Sequence, residues 1–199
     1  MSKPMTFADT RLAMLDGFCV EIDREHERAD VILNRPPLNI IEMPQRDQLR
    51  LVFEALDDEP SVRVIVLRAV GEHFCSGGNI KGFLEASPEH VSTLAWNIAA
   101  PARCCKPVIA ANRGYCFGVG FEISLACDFR LASESCLYAL PEQRLGQIPG
   151  SGGSASSVAR LGWMRSSPRD PGRLTDGSPN GSFRTASDVG SPRAEWEPT

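Results

Sequence analysis

Apolar residues recur along the chain in blocks, and the spacing within each block marks an element. Residues 18–25 (FCVEIDRE) alternate apolar and polar, as a half-covered strand does. Residues 28–34 (RADVILN) and 62–69 (VRVIVLRA) also read as strands. The last of these is a Val- and Ile-rich run of the kind covered on both faces. Pro36 and Pro37 break the chain after the second strand. Leu49, Val52, Phe53 and Leu56 then fall at helical spacing and predict an amphipathic helix over 43–59. The order so far is strand, strand, helix, strand. A glycine-bearing loop follows at 71–83. A helix is expected over 88–103 with Val91, Leu94, Ala95 and Ile98 on one face. VIAAN (108–112) reads as a buried strand, and the glycines after it lead into a helix that runs to about Cys127. FRLAS and CLYAL are short strands, and 141–163 reads as a turn, a glycine loop and a helix.

Beyond Trp163 this patterning stops. Ser, Pro and Gly supply 15 of the 36 residues from Met164 to Thr199. Leu174, Phe183, Val189 and Trp196 stand alone there, with no period of 2 or 3.6. Such a composition cannot bury enough apolar surface to offset its ordering entropy. Disorder is the expectation for 164–199. A natural flexible tail, a truncated product and a shifted reading frame are all consistent with it. Residues 1–163 are then the core, with about 1–17 as a flexible lead.

Charge and cysteine content narrow the function classes. The formal net charge is −4, with 21 Lys and Arg against 25 Asp and Glu, and no basic block stands out. That argues against nucleic acid as a partner. No apolar run reaches membrane-spanning length, and the first residues lack the apolar stretch of a signal peptide. A cytoplasmic protein with no membrane partner is the expectation. The seven cysteines form no CxxC pair, and no histidine follows them at zinc spacing. They are expected to be reduced, mostly buried thiols, and no metal site is expected.

Candidate chemistry concentrates in the glycine-bearing segments. In CSGGN (75–79) and FGVGFE (117–122) the backbone can come close to a ligand, and the second opens a helix with free N–H groups. Two such loops could together present two donors to a developing negative charge. Taken singly, glycines after strands are more often plain turns. Glu122 stands in a run that is otherwise small or apolar up to Asp128, where an ionised carboxylate is costly unless it is paired. Glu142 follows Pro141 and could simply start a helix. Two carboxylates in unlike surroundings can divide general-acid and general-base work. Ser76 lacks a G-x-S-x-G context, His73 is a lone loop histidine, and GSGGS (150–154) lacks the Gly-Lys-Ser/Thr ending of a phosphate loop.

HFCSGGNIKGF, KPVIAANRGYCFGVGFEISLACDFRLASE and LPEQRLGQIPGSGG occur in that order, after LNRPPLNIIE. Together they resemble the enoyl-CoA hydratase/isomerase (crotonase) family over about residues 18–163. The resemblance implies an α/β fold, a spiral of strand–strand–helix repeats that binds acyl-CoA thioesters, with its C-terminal helical region missing or replaced here. It implies that the family's two oxyanion N–H donors fall on Gly78 and Val119, and its two catalytic glutamates on Glu122 and Glu142. Val119 stands where the family often has glycine or alanine, and Asn79 where aspartate is more usual. Isomerase branches usually lack the first glutamate, so having both favours hydration of a 2-enoyl-CoA to a 3-hydroxyacyl-CoA. An isomerase, another crotonase-type acyl-CoA enzyme and an inactive acyl-CoA-binding fragment are the alternatives. No cofactor is implied beyond the coenzyme A carried by the substrate. Family members are homotrimers or hexamers, and the trimerisation helices are expected to be missing from this chain. Arg35, Lys81 and Arg113 could meet CoA phosphates, but single basic residues are ordinarily just solvated.

Overall fold

The computed structural model describes residues 15–154, 165–166 and 174–175. Two antiparallel strands open it, β1 (Phe18–Asp23) and β2 (Arg28–Leu33). Helix α1 (Met43–Asp57) crosses to β3 (Val64–Ala69), which lies parallel to β2. Three short helices follow: α2 (Ile80–Glu85), α3 (Pro88–Ser92) and α4 (Leu94–Ile98). Strand β4 (Val108–Asn112) adds parallel to β3. Then come β5 (Tyr115–Phe117), α5 (Val119–Ala126), β6 (Phe129–Ala132) and β7 (Leu137–Ala139). The main sheet runs β1-β2-β3-β4-β6, and β5 pairs with β7 in a second, parallel sheet. This is the expected α/β order of strand, strand, helix.

Helix α1 forms as its spacing predicts. Pro44 sits in its first turn, where a missing N–H costs nothing, and the Glu42 N–H is taken by the Gln45 side chain at 2.7 Å. Its apolar stripe of Leu49, Val52, Phe53 and Leu56 is wholly buried against the sheet's core residues Val31, Ile65 and Leu67. Strand β3 departs from the expectation of two covered faces. Ile65, Leu67 and Ala69 are buried, but Val64, Val66 and Arg68 are only half-covered. The second face is polar because Arg68 bonds to Asp30 and Glu21, each at 3.1 Å.

The single helix expected over 88–103 is three pieces. Ser92 and Thr93 donate their hydroxyls back to the carbonyls of Glu89 and His90, at 2.6 and 2.8 Å, which ends α3. Pro101 then starts a separate 3₁₀ turn, Pro101–Arg103. Leu94 and Ile98 face the core as expected, while Ala95 is exposed and Asn97 takes a buried place. Two elements come from segments read as loop: α2, inside the glycine-bearing stretch, and β5. Asn79 caps α2, its Oδ1 accepting the N–H groups of Lys81 and Gly82 at 3.1 and 3.3 Å.

All seven cysteines are free, and Cys75, Cys116, Cys127 and Cys136 are buried. Among the described residues no helix is long and apolar enough to cross a membrane. The expectation of a disordered 164–199 falls almost entirely outside the described residues. Within it, Arg165–Ser166 pairs antiparallel with Leu174–Thr175. The helix expected up to Trp163 and most of the lead segment 1–17 also lie outside them.

Candidate functional site

Backbone pairing joins the two glycine-bearing loops. The Cys75 N–H donates to Tyr115 O, and the Phe117 N–H donates to Cys75 O, both at 2.9 Å. Gly78 and Val119 each lie three residues beyond a member of the Cys75–Cys116 bridge. The loops therefore run side by side to the same place. Ile41 pairs with this edge by donating to Gly77 O and accepting from the Asn79 N–H. Gly78's own N–H consequently points the other way. Val119 is the first residue of α5, so its N–H has no partner within the helix. The N–H groups of Gly78 and Val119 meet no acceptor among the described residues. Both residues line one pocket, together with Glu122 and Glu142.

Gly118 makes the turn into α5 at φ +51°, a conformation that disfavours any side chain. Its N–H donates to Ala139 O at 2.9 Å, which fixes the end of β7 against the helix start. Three residues later Glu142 lies in a 3₁₀ turn, Pro141–Leu145. A Cβ on Gly118 would sit 3.1 Å from Glu142 Oε1, so the missing side chain makes room for the carboxylate. Burial pushes the Glu142 carboxyl up to about 7. Its own backbone N–H and Arg46 oppose that rise, and the charge of Glu122 adds to it. Glu142 Oε2 is buried with no hydrogen-bond partner among the described residues.

Glu122 lies one turn into α5, on the same helical face as Val119. Only 5% of it is exposed. Its Oε1 accepts the N–H groups of Ser151 and Gly153, at 2.8 and 2.9 Å. The GSGGS segment therefore serves as a backbone clamp for this carboxylate, not as a phosphate cradle. The four predicted site residues come together in one pocket.

Ser76 also lines this pocket. His73 is absent from its lining and stacks on Tyr115, with ring centres 4.0 Å apart. Arg35 pairs with Asp16 and Glu42, at 2.8 and 2.7 Å. Arg113 donates to Ala69 O, and Lys81 is exposed. Sequence reasoning missed Arg46, which lines the pocket while only 6% exposed. The signal was present: Arg46 precedes Leu49 by three residues and Phe53 by seven, on the apolar face of α1. Ile80, Phe83, Leu94, Leu145 and Ile148 add apolar surface to the wall, and Asn79 and Gln147 add polar side chains.

Known proteins resemble this chain in sequence and fold. The enoyl-CoA hydratase/isomerase family matches residues 24–167. A carnitinyl-CoA dehydratase of Proteus mirabilis is 38% identical over 136 residues, covering 66% of this chain and 52% of that protein. Its Escherichia coli counterpart is 34% identical over 138 residues, covering 67% and 53%. The chain thus spans about half the length of these curated relatives. A crystal structure of an enoyl-CoA hydratase from Bacillus anthracis superposes with a TM-score of 0.67 at 30% identity, covering 74% of this chain and 59% of that one. An enoyl-CoA hydratase/carnithine racemase structure from Magnetospirillum magneticum gives 0.67 at 27% identity, covering 75% and 58%. With the sequence match extending over most of the chain and the fold shared, the chain belongs to the enoyl-CoA hydratase/isomerase family and has its crotonase-like α/β fold.

Proposed function

We propose that the chain is a hydratase-type lyase that adds water across the 2,3-double bond of a 2-enoyl-CoA to give a 3-hydroxyacyl-CoA. One observation carries this reading: two carboxylates of unlike environment share a pocket with two unengaged backbone N–H groups. Glu122 has one oxygen fixed by two backbone donors, which leaves Oε2 for a water. Glu142 holds its proton up to about pH 7, and its Oε2 has no competing partner among the described residues.

In the proposed step the thioester oxygen accepts the N–H groups of Gly78 and Val119. Glu122 removes a proton from water as its oxygen bonds to Cβ. The double-bond electrons move onto the thioester oxygen as an enolate, and the enolate collapses as Glu142 delivers its proton to Cα. The two donors stabilise the enolate more than the ground-state carbonyl, which is the condition for raising kcat. Each turnover leaves Glu122 protonated and Glu142 ionised, and proton exchange through water restores them. No step draws on a metal or a separate cofactor. The dehydratase names of the curated relatives refer to loss of water, the same chemistry run backwards.

The test is purified protein with a 2-enoyl-CoA, followed by loss of the conjugated thioester's absorbance and by product mass. Hydration adds one water, whereas isomerisation leaves the mass unchanged. An unchanged rate in either Glu122→Gln or Glu142→Gln would remove the role given to that residue.

A further inference from the structure

Arg46 is a cation almost wholly withdrawn from water, yet its guanidinium makes no hydrogen bond and no ion pair among the described residues. Its Nε is buried without a partner. Burying a guanidinium is costly, and the cost is ordinarily offset by acceptors that satisfy its five N–H donors. The described residues supply none, and Arg46 lines the pocket that holds both glutamates.

Gly78 says where the charge sits. Its φ is not in the left-handed region, so its backbone does not call for glycine. What excludes a side chain is Arg46: a Cβ on Gly78 would collide with Arg46 Nη2. Val119 Cγ1 lies 3.6 Å from that same Cβ position. The guanidinium is therefore packed against the α-carbon of one proposed oxyanion donor, beside the residue that carries the other. The absent side chain at 78 gives the charge its place.

We infer that Arg46 supplies a third, charged element of the oxyanion site, a fixed positive charge that stabilises the enolate formed on the thioester oxygen. This rests on the hydratase reading and deepens it. A developing oxyanion is the acceptor that the guanidinium lacks. Because Arg46 is itself only 6% exposed, its charge acts more strongly there than it would in bulk solvent. Glu122 and Glu142 are the ionisable acidic partners nearest in the pocket, and Cys75 faces the group from the glycine-loop side. The carboxylates balance the cation's charge at longer range without satisfying its donors.

The test pairs Arg46→Met, which keeps much of the volume, with Arg46→Lys, which keeps the charge. Turnover of a 2-enoyl-CoA is measured in each, with the carbonyl stretching frequency of bound butanoyl-CoA read by infrared difference spectroscopy. Arg46→Met is expected to lower kcat by roughly 10²-fold with little change in KM, the loss typical of one oxyanion donor. It is also expected to move the bound carbonyl frequency back towards that of free thioester. Arg46→Lys should recover part of both. The thermal midpoint of Arg46→Met should stay level or rise, because an unpaired buried charge has been replaced by a well-packed apolar side chain. A purely structural arginine would give the reverse, a lowered midpoint with an unmoved carbonyl frequency, and that result overturns the inference. So does a lysine variant no better than methionine. Wild-type protein that binds butanoyl-CoA but hydrates nothing would instead overturn the hydratase reading on which this rests.

Discussion

Glu122 and Glu142 are the same residue type placed twenty positions apart, and their surroundings give them different work. Two backbone N–H groups clamp Glu122, while burial lifts Glu142 to about 7. Replacing either by Gln should lower kcat by roughly 10²–10⁴-fold, the usual range for a lost general acid or base. The hydration rate should fall as pH rises through about 7, because Glu142 then loses the proton it donates. The same group links pH to stability. Its folded pKa lies above the unfolded value, so its contribution is fully present below about 4.5 and is lost as pH rises through about 7. Glu142→Gln should flatten that decline in a series of urea unfolding curves across the window. The clamp on Glu122 can be tested at Gly153, where a Cβ would lie 2.9 Å from Glu122 Cγ. Gly153→Ala should cut kcat by roughly 10–100-fold through misplacement of the carboxylate, with Glu122 itself intact.

Helix α5 carries the proposed donor and base together, and it is held by one buried polar residue as well as by apolar packing. Asn112, at the end of β4, donates to Ser124 Oγ and to the Tyr138 hydroxyl, each at 2.8 Å. It thus ties β4 to α5 and β7 at once. Asn112→Ala should cost about 1–3 kcal/mol, because the buried partners lose their donor, and the urea midpoint will report it. How far the sequence reveals such elements depends on what sets them. The stripe on α1 and the apolar runs of β2 and β4 are legible because periodicity follows directly from burial. The order of motifs around Gly78, Val119, Glu122 and Glu142 is legible because glycines and lone carboxylates are conspicuous. The break at Ser92–Thr93 is not, since it depends on hydroxyls turning back onto carbonyls. Helix α2 is hidden within its glycine-bearing loop. Arg46 escapes a reading that weighs only the apolar members of a helical face.

Across the whole molecule, the two glycine loops, the β7 end and the 150–154 segment meet at one pocket although they are far apart in sequence. The described part of that pocket should therefore gain stability when a thioester occupies it. At a free ligand concentration of about 100 Kd the gain should be about 2.7 kcal/mol, seen as a higher thermal midpoint with butanoyl-CoA. The shared crotonase-like fold fits this convergence, since successive strand–helix units bring their loops to a common place. The most direct test of the account is hydration itself: full-length protein mixed with a 2-enoyl-CoA, with thioester absorbance and product mass followed together. The account predicts that conjugated absorbance disappears while the product gains the mass of one water, and that Glu122→Gln and Glu142→Gln each abolish most of that rate. A product of unchanged mass, or a rate indifferent to both substitutions, would contradict it.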